Sequence, residues 1–358
     1  MKNRKETTIY DIALKLHISP ATVSRALNNH ISVTKKKQKQ IAETAKSMGY
    51  RSNLFARNLR NQRTHTLGVI VQTLNSNFIA SVLSGIEKVA NKAGYNLIIS
   101  QSQETEMKEV ANAATMFNSR VDGLIVSLAF DTKDFSHFDP FFDKAIPVIF
   151  FDRISHGKSS TNVIIDNCKA GYQVTSHLIE QGCKKIAHIT GSLSRNVYSD
   201  RLNGYRQALT EHGIAFNEKY VIVTNMDEQS TIEAANHLLA MESMPDGIFI
   251  TNDNCAVVCM QVLKDAGYAI PGDVAIAGFN NDIISRVVDP KLTTVNYPGQ
   301  EMGEIVARAL VDHLEGIAPL TTTRTILIKS DLIERGSSLK KKPKLSSHLP
   351  GKKNPAKK

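Results

Sequence analysis

The sequence has no tryptophan, only four cysteines and no long run of apolar residues. No apolar stretch approaches the roughly 18 residues of a membrane-spanning helix, so we expect no membrane association. The N-terminus is charged and then amphipathic, without the apolar core of a secretory signal, which predicts a cytoplasmic protein. Cys168, Cys183, Cys255 and Cys259 lack CxxC or Cys/His ligand spacing, so we expect reduced structural thiols and no metal site.

Catalytic motifs are missing as well. The chain contains no GxGxxG, GxxxxGKS/T, HExxH or GxSxG segment. His188 lies in the apolar run KIAHI, where a core or strand-end histidine is a simpler interpretation than a catalytic base. We therefore predict neither an enzymatic activity nor a cofactor.

Basic residues are distributed unevenly along the 358-residue chain, which is long enough for more than one domain. Residues 1–63 contain 14 Lys and Arg against three acidic residues, and residues 337–358 contain eight Lys and no acid. The segment 64–336 has nine more acidic than basic residues. Positive charge concentrated in an N-terminal module predicts a polyanion as the partner of that module, unless the charges merely form a solvated face.

Residues 8–27 predict two short helices joined by a tight turn at His17 and Ile18. Thr8 is a candidate N-cap of the first helix, and Asp11 completes an acidic form of the capping box. The apolar residues of this helix share one face: Ile9, Ile12, Ala13 and Leu16. In the second helix, Ser19 is the predicted cap and Pro20 the first residue.

The second helix has an inner and an outer face. Its inner residues are Val23, Ala26 and Leu27. Its outer residues are Pro20, Ala21, Thr22, Ser24 and Arg25. Short polar side chains with one arginine suit a helix that lies in a DNA major groove. An ordinary surface hairpin is the alternative that this pattern alone leaves open.

A third helix is predicted between a Thr34 cap and Gly49, with Ile41, Ala45 and Met48 on its apolar face. Its outer lysines suit phosphate contacts, which position a protein without reading sequence: Lys35, Lys36, Lys37, Lys39 and Lys46. Residues 51–60 then predict a short helix that forms only when it is packed on a partner.

Several segments together resemble the lactose-repressor (LacI/GalR) family of transcription regulators. They are TIYDIA, SPATVSRALNN, MGY, the hinge pattern N-x-x-A-R-x-L and THTLGVIV. The resemblance implies a helix-turn-helix head, with Pro20, Ala21 and Arg25 reading the major groove. It also implies paired hinge helices that insert Leu59 into the minor groove and kink the duplex. Ser52 departs from the proline that is usual before the hinge, which loosens the start of that helix.

The DNA-binding residues that follow from this resemblance occupy the head and the hinge. They are Thr8, Ser19, Pro20, Ala21, Thr22, Ser24, Arg25, Asn28, Thr34, Asn53, Ala56, Leu59 and Arg60. The implied partner is double-stranded operator DNA, bound by a homodimer.

From Thr66 onward, apolar runs alternate with helical stretches, which predicts parallel β-sheets covered on both faces. The strand candidates span 67–71, 96–100, 121–126, 146–152, 162–166, 185–189, 220–223, 246–250, 274–279, 292–296 and 324–328. Eleven strands exceed one such sheet, so we predict two α/β lobes. The resemblance implies the fold of type I periplasmic sugar-binding proteins, with three crossings between the lobes and a ligand cleft between them.

The predicted domains are therefore a DNA-binding head (1–50), a hinge (51–63), an effector and dimerisation domain (64–336) and a basic disordered tail (337–358). We expect the first lobe at about 64–164 and 297–323, and the second lobe at about 165–296 and 324–336. For the tail, nonspecific DNA tethering and simple solubilisation are alternatives.

Polar residues that follow strands predict the effector site. By the resemblance, the effector-binding positions are Phe78, Asp152, Arg201, Met226, Asn252 and Asn280. Relatives often have an acid at the position of Asn280 and a stacking aromatic at that of Met226. A sugar is the favoured small-molecule effector, with a small anion, a purine or another metabolite left open. Helix capping is the alternative for the four polar positions, Asp152, Arg201, Asn252 and Asn280. We assign capping to Asp166 and Asp253.

The sequence thus predicts an effector-controlled, dimeric DNA-binding regulator, and the resemblance implies a repressor. A solute-binding protein with the same body fold is the alternative from another class. The basic helical module and the lack of a secretory signal argue against that alternative.

Overall fold

The computed structural model describes residues 7–50, 63–154, 160–320 and 324–340. The chain divides into two compact units, Met1–Thr64 and His65–Lys358, which we call the head and the body. Most of the predicted hinge, 51–62, lies outside the described residues, as does the basic segment 341–358.

The head contains the three predicted helices: α1 (Ile9–Leu16), α2 (Pro20–Leu27) and α3 (Lys35–Ser47). The predicted capping box is confirmed, since the Thr8 N–H donates to the Asp11 carboxylate at 2.7 Å and the Asp11 N–H donates to the Thr8 hydroxyl. His17 ends α1 in the left-handed conformation, with φ at 53°. The buried core of the head consists of Ile12, Ala13, Val23, Ala26, Val33, Ile41 and Ala45. α2 is therefore anchored by one face only.

The body contains two six-stranded sheets, each of which forms the centre of one lobe. The strands of the first lobe are β1 (Thr66–Val71), β2 (Asn96–Gln101), β3 (Gly123–Val126), β4 (Val148–Phe151), β5 (Thr161–Ile165) and β11 (Arg324–Ile328). Their order is β11-β5-β4-β3-β1-β2, and every pair is parallel. The near-continuous burial of β1, β3 and β4 is that of strands covered on both faces.

The second lobe repeats this plan. Its strands are β6 (Ile186–Thr190), β7 (Val221–Val223), β8 (Gly247–Ile250), β9 (Ala275–Asn280), β10 (Thr293–Asn296) and β12 (Leu332–Ile333). Their order is β12-β10-β9-β8-β6-β7, with only β12 antiparallel to its neighbour. The two-lobed α/β fold that the sequence predicts is confirmed.

Helices cover both sheets. Those of the first lobe are α4 (Asn77–Lys92), α5 (Glu106–Asn118), α6 (Asp139–Asp143) and α12 (Gly299–Leu314). Those of the second lobe are α7 (Asn167–Glu180), α8 (Asn196–Glu211), α9 (Glu228–Leu239), α10 (Asp253–Asp265) and α11 (Ile284–Val287). In the described part of the chain, no helix is both long and apolar enough to cross a membrane.

The chain crosses between the lobes after β5, after β10 and between β11 and β12. Our assignment of 324–336 to the second lobe is wrong for β11, which pairs with β5 of the first sheet in the register Ile326↔Val163. An apolar run predicts a strand, but it does not identify the sheet edge that is open to receive it. The crossing falls a few residues later, and the Asn296 N–H bonds the Asp331 carbonyl at 2.8 Å.

The predicted start of the tail at residue 337 is also wrong. Ser337 and Ser338 are fully buried in the second lobe. The Ser337 hydroxyl donates to the Ile276 carbonyl at 2.6 Å, and the Ser338 hydroxyl lies 2.7 Å from His177 Nε2. Short hydroxyl side chains satisfy buried polar groups here, which their polar composition does not reveal.

Candidate functional site

The outer face of α2 is the first candidate site. Ser19 caps the helix by accepting the Thr22 N–H at 3.2 Å, and Pro20 is its first residue. Ala21, Arg25 and Asn28 are exposed at spacings of four and three residues, which places them on one face. The Asn28 amide donates to the Ser24 carbonyl at 2.8 Å and so closes the end of the helix.

This face can do one kind of chemistry. Arg25 is its only long donor, and a guanidinium can bind guanine through two hydrogen bonds. Ala21 is small enough for close approach of the helix to base edges. All five predicted α3 lysines are exposed, and the Thr34 hydroxyl makes no capping bond. The head therefore presents one exposed guanidinium on α2 and five exposed ammonium groups on α3, a set of donors that could bind a polyanion.

Three exposed apolar residues of the head do not appear in our sequence analysis. Tyr10 is 68% exposed, Leu14 78% and Ile31 98%. Tyr10 and Leu14 fall outside the apolar stripe of α1, and that position is the signal by which the sequence could have identified them. The predicted hinge residues Asn53, Ala56, Leu59 and Arg60 lie outside the described residues.

The cleft between the two lobes of the body is the second candidate site. Asp152 of the first lobe borders it, since its carbonyl accepts the Asn196 amide of the second lobe at 3.0 Å. Asp152 directly follows β4, has φ at 58° and is 4% exposed. Its carboxylate accepts the Tyr297 hydroxyl at 2.6 Å and lies 3.3 Å from the Ser127 hydroxyl. Burial, reinforced by the Asp152 charge, holds the pKa of Tyr297 well above its usual range, so Tyr297 is the donor in this bond.

Arg201 lies on α8 and is 3% exposed. Its Nε donates to Asn167 Oδ1 at 2.9 Å, and its Nη1 donates to the Thr251 carbonyl at 3.3 Å. Its guanidinium carbon is 3.6 Å from the centre of the Phe279 ring, which is close cation–π stacking. Burial lowers the pKa of Arg201. A guanidinium held by neutral groups can offer its charge to a ligand oxygen.

Arg153 is a cleft residue that our sequence analysis missed. Its Nη1 donates to both Glu104 carboxylate oxygens, at 2.7 and 3.0 Å, and its Nη2 donates to the Tyr198 hydroxyl at 3.2 Å. The guanidinium lies 4.1 Å from the Phe130 ring centre and 5.5 Å from the Tyr198 ring centre. The signal was available, because Arg153 follows Asp152 at the end of a buried strand.

Two predicted aromatic and amide positions also border the cleft. Phe78 is 7% exposed and stacks on Tyr297 with ring centres 4.2 Å apart. Asn280 ends β9 with φ at 115° and pairs in register with Asn296 of β10. Phe78, Asn280 and Tyr297 line a cavity of about 630 Å³ that both lobes contribute to. Tyr297 was missed, although it follows a predicted strand as Asp152 does.

The capping role that we predicted for Asp253 is wrong, because Asn252 occupies the N-cap position. Asn252 is the N-cap of α10, and its side-chain oxygen accepts the Cys255 N–H at 3.1 Å. Asp253 is fully buried and accepts the Thr294 hydroxyl at 2.6 Å and the Asp282 N–H at 2.8 Å. Burial raises the pKa of Asp253 to about 7. Adjacent residues at a helix start are both plausible caps, and only the backbone decides between them.

Met226 and Asp166 also act locally. The Met226 sulfur accepts the Thr224 hydroxyl at 3.3 Å, and its backbone has φ at 60°. The side chain packs against the core of the second lobe. Asp166 caps α7 by accepting the Lys169 N–H at 2.9 Å, which confirms its predicted role.

A larger cavity, of about 910 Å³, is lined by residues of both lobes. The first lobe contributes Phe130, Asp131 and Lys133, and the second lobe contributes residues from the ends of β6 and β7 and from α9. Among the described residues, no group of three or more His, Cys, Asp or Glu is arranged to hold a metal ion.

Comparison with known proteins gives two matching family models. Residues 8–53 match bacterial regulatory proteins of the lacI family, and residues 175–338 match a periplasmic binding protein-like domain. The catabolite control protein A of Priestia megaterium is 32% identical over 308 residues, which cover 86% of this chain and 92% of that protein.

Two further matches also extend over most of the chain. The ribose operon repressor of Haemophilus influenzae is 28% identical over 332 residues, covering 92% of this chain and 98% of that protein. A structure of the transcriptional regulator CelR in complex with cellobiose has a TM-score of 0.71 and 25% identity. It covers 93% of this chain and all of that one. The similarity therefore includes the helical module and the two-lobed body.

Proposed function

Because the chain belongs to the lacI family of bacterial regulatory proteins, we propose that it represses transcription as a homodimer on a palindromic operator, under the control of a sugar. Like its relatives, it is a DNA-binding transcriptional regulator and not an enzyme. Since its DNA target is in the cytoplasm, we place the protein there.

The outer face of α2 carries this proposal. Ala21, Arg25 and Asn28 are exposed on one side of a helix whose other side is fixed by Val23 and Ala26. The module has 14 basic residues against three acidic ones within residues 1–63. A rigid exposed helix in a strongly basic module fits the major groove.

A homodimer is supported by exposed apolar residues on the second lobe. Ile283, the residue before α11, is 72% exposed, and Val287 at the end of α11 is 70% exposed. They are four residues apart, so they form one apolar face on a single helical turn. Exposed apolar patches of this kind mark protein interfaces. A two-fold dimer would present two heads to two half-sites of one operator.

A sugar effector is supported by the chemistry of the cleft. Asp152 offers carboxylate oxygens, Arg201 offers guanidinium donors, and Phe78 stacked on Tyr297 offers an apolar surface. A polyhydroxylated ring needs that combination of acceptors, donors and a flat apolar surface. The similar proteins include a regulator in complex with cellobiose and a ribose operon repressor, and cellobiose and ribose are both sugars.

The DNA-binding proposal is tested with Arg25→Ala on an operator selected from a random DNA pool. We expect a loss of about 1–3 kcal/mol in binding free energy and relaxed preference at one base position. Lys37→Ala is the contrast, because a phosphate contact should weaken all sequences equally and lower the salt slope by about 1. Leu59→Ala, from the resemblance, should reduce DNA bending. Unchanged affinity and sequence preference for both Arg25→Ala and Leu59→Ala would refute the proposal.

The effector proposal is tested by a thermal-shift screen with sugars and nucleosides. A ligand that binds only the native state raises the apparent stability, by about 2.7 kcal/mol at 100 times its Kd. We expect a shift with at least one sugar, and no shift with that sugar in Asp152→Asn. A shift with nucleosides alone would replace the sugar by a purine or pyrimidine effector.

A further inference from the structure

One segment of the second lobe, 192–198, reaches across the cleft to the first lobe. The Ser194 hydroxyl donates to the Phe130 carbonyl at 2.9 Å. The next residue, Arg195, donates from Nη2 to the Thr132 carbonyl at 2.6 Å and is 6% exposed. Both acceptors belong to the loop that follows β3, so the segment is joined to the first lobe by its side chains.

Asn196 adds a second pair of bonds to the loop that follows β4. Its Oδ1 accepts the Ile154 N–H at 3.0 Å, and its Nδ2 donates to the Asp152 carbonyl at 3.0 Å. The side chain is 5% exposed, and its amide bonds the backbone of the residue before Arg153 and of the residue after it. Two buried hydrogen bonds from one amide fix the distance between the lobes at this point.

Arg153 makes a further contact across the cleft, in this case from the first lobe to the second. Its guanidinium is paired with Glu104 and stacked on Phe130, both in the first lobe, and it donates to the Tyr198 hydroxyl of the second lobe. Arg153 is 6% exposed and Tyr198 8%, so water has little access to this contact. The Arg153 side chain, next to Asp152 in the chain, therefore forms a buried bridge between the two lobes.

We propose that Arg153 and the 192–198 segment form an interlobe latch that keeps the cleft closed when no small molecule is bound. An effector, as inferred under the proposed function, gains access by displacing this latch. Arg153 is then a specificity-determining residue, because only a ligand that replaces its contacts can hold the lobes. In this proposal the contacts of the latch hold the lobes together, and the effector competes with those contacts.

This proposal changes the expected effect of mutation at the cleft. A ligand that binds only an opened state has its apparent affinity reduced by the fraction of molecules that are open. Removing a latch contact that no ligand uses should therefore strengthen effector binding. A residue that simply contacts the ligand would have the opposite effect when it is replaced.

The test measures the distance between the lobes by double electron–electron resonance on the full-length, ligand-free protein. Nitroxide labels are placed at Asp134 in the first lobe and Asn236 in the second, both exposed, after the half-buried Cys168 is replaced by serine. We expect one short, narrow distance distribution in the parent protein. Asn196→Ala should add a population at longer distance and speed hydrogen exchange of the Ile154 amide at least tenfold.

Ser199→Ala is the matched control, because the Ser199 hydroxyl bonds only carbonyls of its own helix, those of Arg195 and Asn196. It should leave the distances and the exchange unchanged. Ser194→Ala is a milder latch variant, in case Asn196→Ala fails to fold. A broad or long distribution in the unmodified protein would overturn the proposal, as would identical distributions in the latch variants and the control.

These distances are measured without ligand, so they do not depend on the identity of the effector. If no sugar binds but the latch variants open, the proposed effector class is wrong and the latch stands. Where a sugar binds, its Kd for Ser194→Ala should fall severalfold below that of the parent protein. An unchanged or weaker affinity would show that the latch does not compete with the effector.

Discussion

His188 is a polar side chain in the middle of an apolar strand, and the environment decides its chemistry. It is fully buried in β6, between the rings of Tyr205 at 5.2 Å and Phe249 at 4.6 Å. Neither ring nitrogen makes a hydrogen bond of normal length and angle to the described residues. Burial lowers the pKa of His188 to about 3, so the ring is neutral at physiological pH and unsuited to act as a base.

Replacing His188 by phenylalanine should raise the free energy of unfolding at pH 7 by about 1 kcal/mol, because unpaired buried nitrogens are removed. The gain should grow as the pH falls below 6.5. The unfolded state then binds a proton that the folded state refuses, which costs the parent protein up to about 1.4 kcal/mol per pH unit. Urea titrations at pH 5, 6 and 7 measure this difference.

His237→Phe, the same substitution at an exposed position of α9, is the control and should not raise the free energy of unfolding, because it removes no buried nitrogen. Asp253 changes the free energy of unfolding in the opposite direction. Its pKa is raised to about 7 in the folded protein, so the stability that its protonated form contributes is lost as the pH rises from 3.8 to 7. The difference between the variant and the parent protein, and not either curve alone, isolates His188. A gain that is independent of pH would contradict the assignment.

At the scale of residues, the sequence identified which strand ends border the cleft. It did not identify which side chain at each strand end makes the contacts across the cleft. Asp152 and Arg201 were predicted, and both are buried beside Tyr297, although their predicted effector contacts stay a prediction. Arg153 and Tyr297 were missed, although both stand beside predicted strand ends. Contact across the cleft depends on the packing of two lobes, which no local pattern contains.

Among the elements, the pair of helices α7 and α8 is the tightest contact in the second lobe. Glycines permit it: a Cβ at Gly204 would lie 1.9 Å from the Cys168 carbonyl oxygen, and a Cβ at Gly171 would lie 2.3 Å from that of Arg201. Both obstacles are backbone atoms, which cannot move aside as a flexible side chain does. The position of Arg201 on α8 therefore depends on glycine at both Gly171 and Gly204, where a side chain would prevent the close helix contact.

Gly204→Ala should destabilise the protein by about 3 kcal/mol, because the added methyl group forces α7 and α8 apart. It should also weaken effector binding, since Arg201 moves with α8. Gly272→Ala is the control, with its nearest contact a side-chain carbon at 3.3 Å. Denaturant unfolding and ligand titration of both variants measure the effects. Equal stability of the two proteins would contradict this account of the helix contact.

At this scale most of the fold could be predicted. All eleven strand candidates correspond to strands, because near-continuous apolar runs between helical patterns are a strong signal. The two-residue strand β12 was missed, and β11 was assigned to the wrong lobe. Both errors come from pairing partners distant in sequence, since β11 completes a sheet whose neighbouring strand β5 precedes it by more than 150 residues.

For the whole molecule, the proposed dimer predicts the effect of charge on α11. Ile283→Asp combined with Val287→Asp should shift the protein to monomer and weaken operator binding, because a charge is costly to bury in an apolar interface. Sedimentation velocity measures the mass, and operator titration measures the consequence. Ile317→Asp, at a residue that is 67% exposed outside α11, is the control and should remain dimeric. A dimer that survives the double substitution would place the interface elsewhere.

The crossing of the chain between the lobes sets an order of events during synthesis. The three helices of the head lie within the first 47 residues. By contrast, β5 cannot pair with β11 until the ribosome has added about 160 residues after β5. At 5–20 residues per second this wait is roughly 8 to 32 s. For that time the first sheet has an unpaired edge strand, the kind of surface that chaperones protect. In every nascent molecule, a head with all three of its helices therefore precedes a first lobe with all six of its strands.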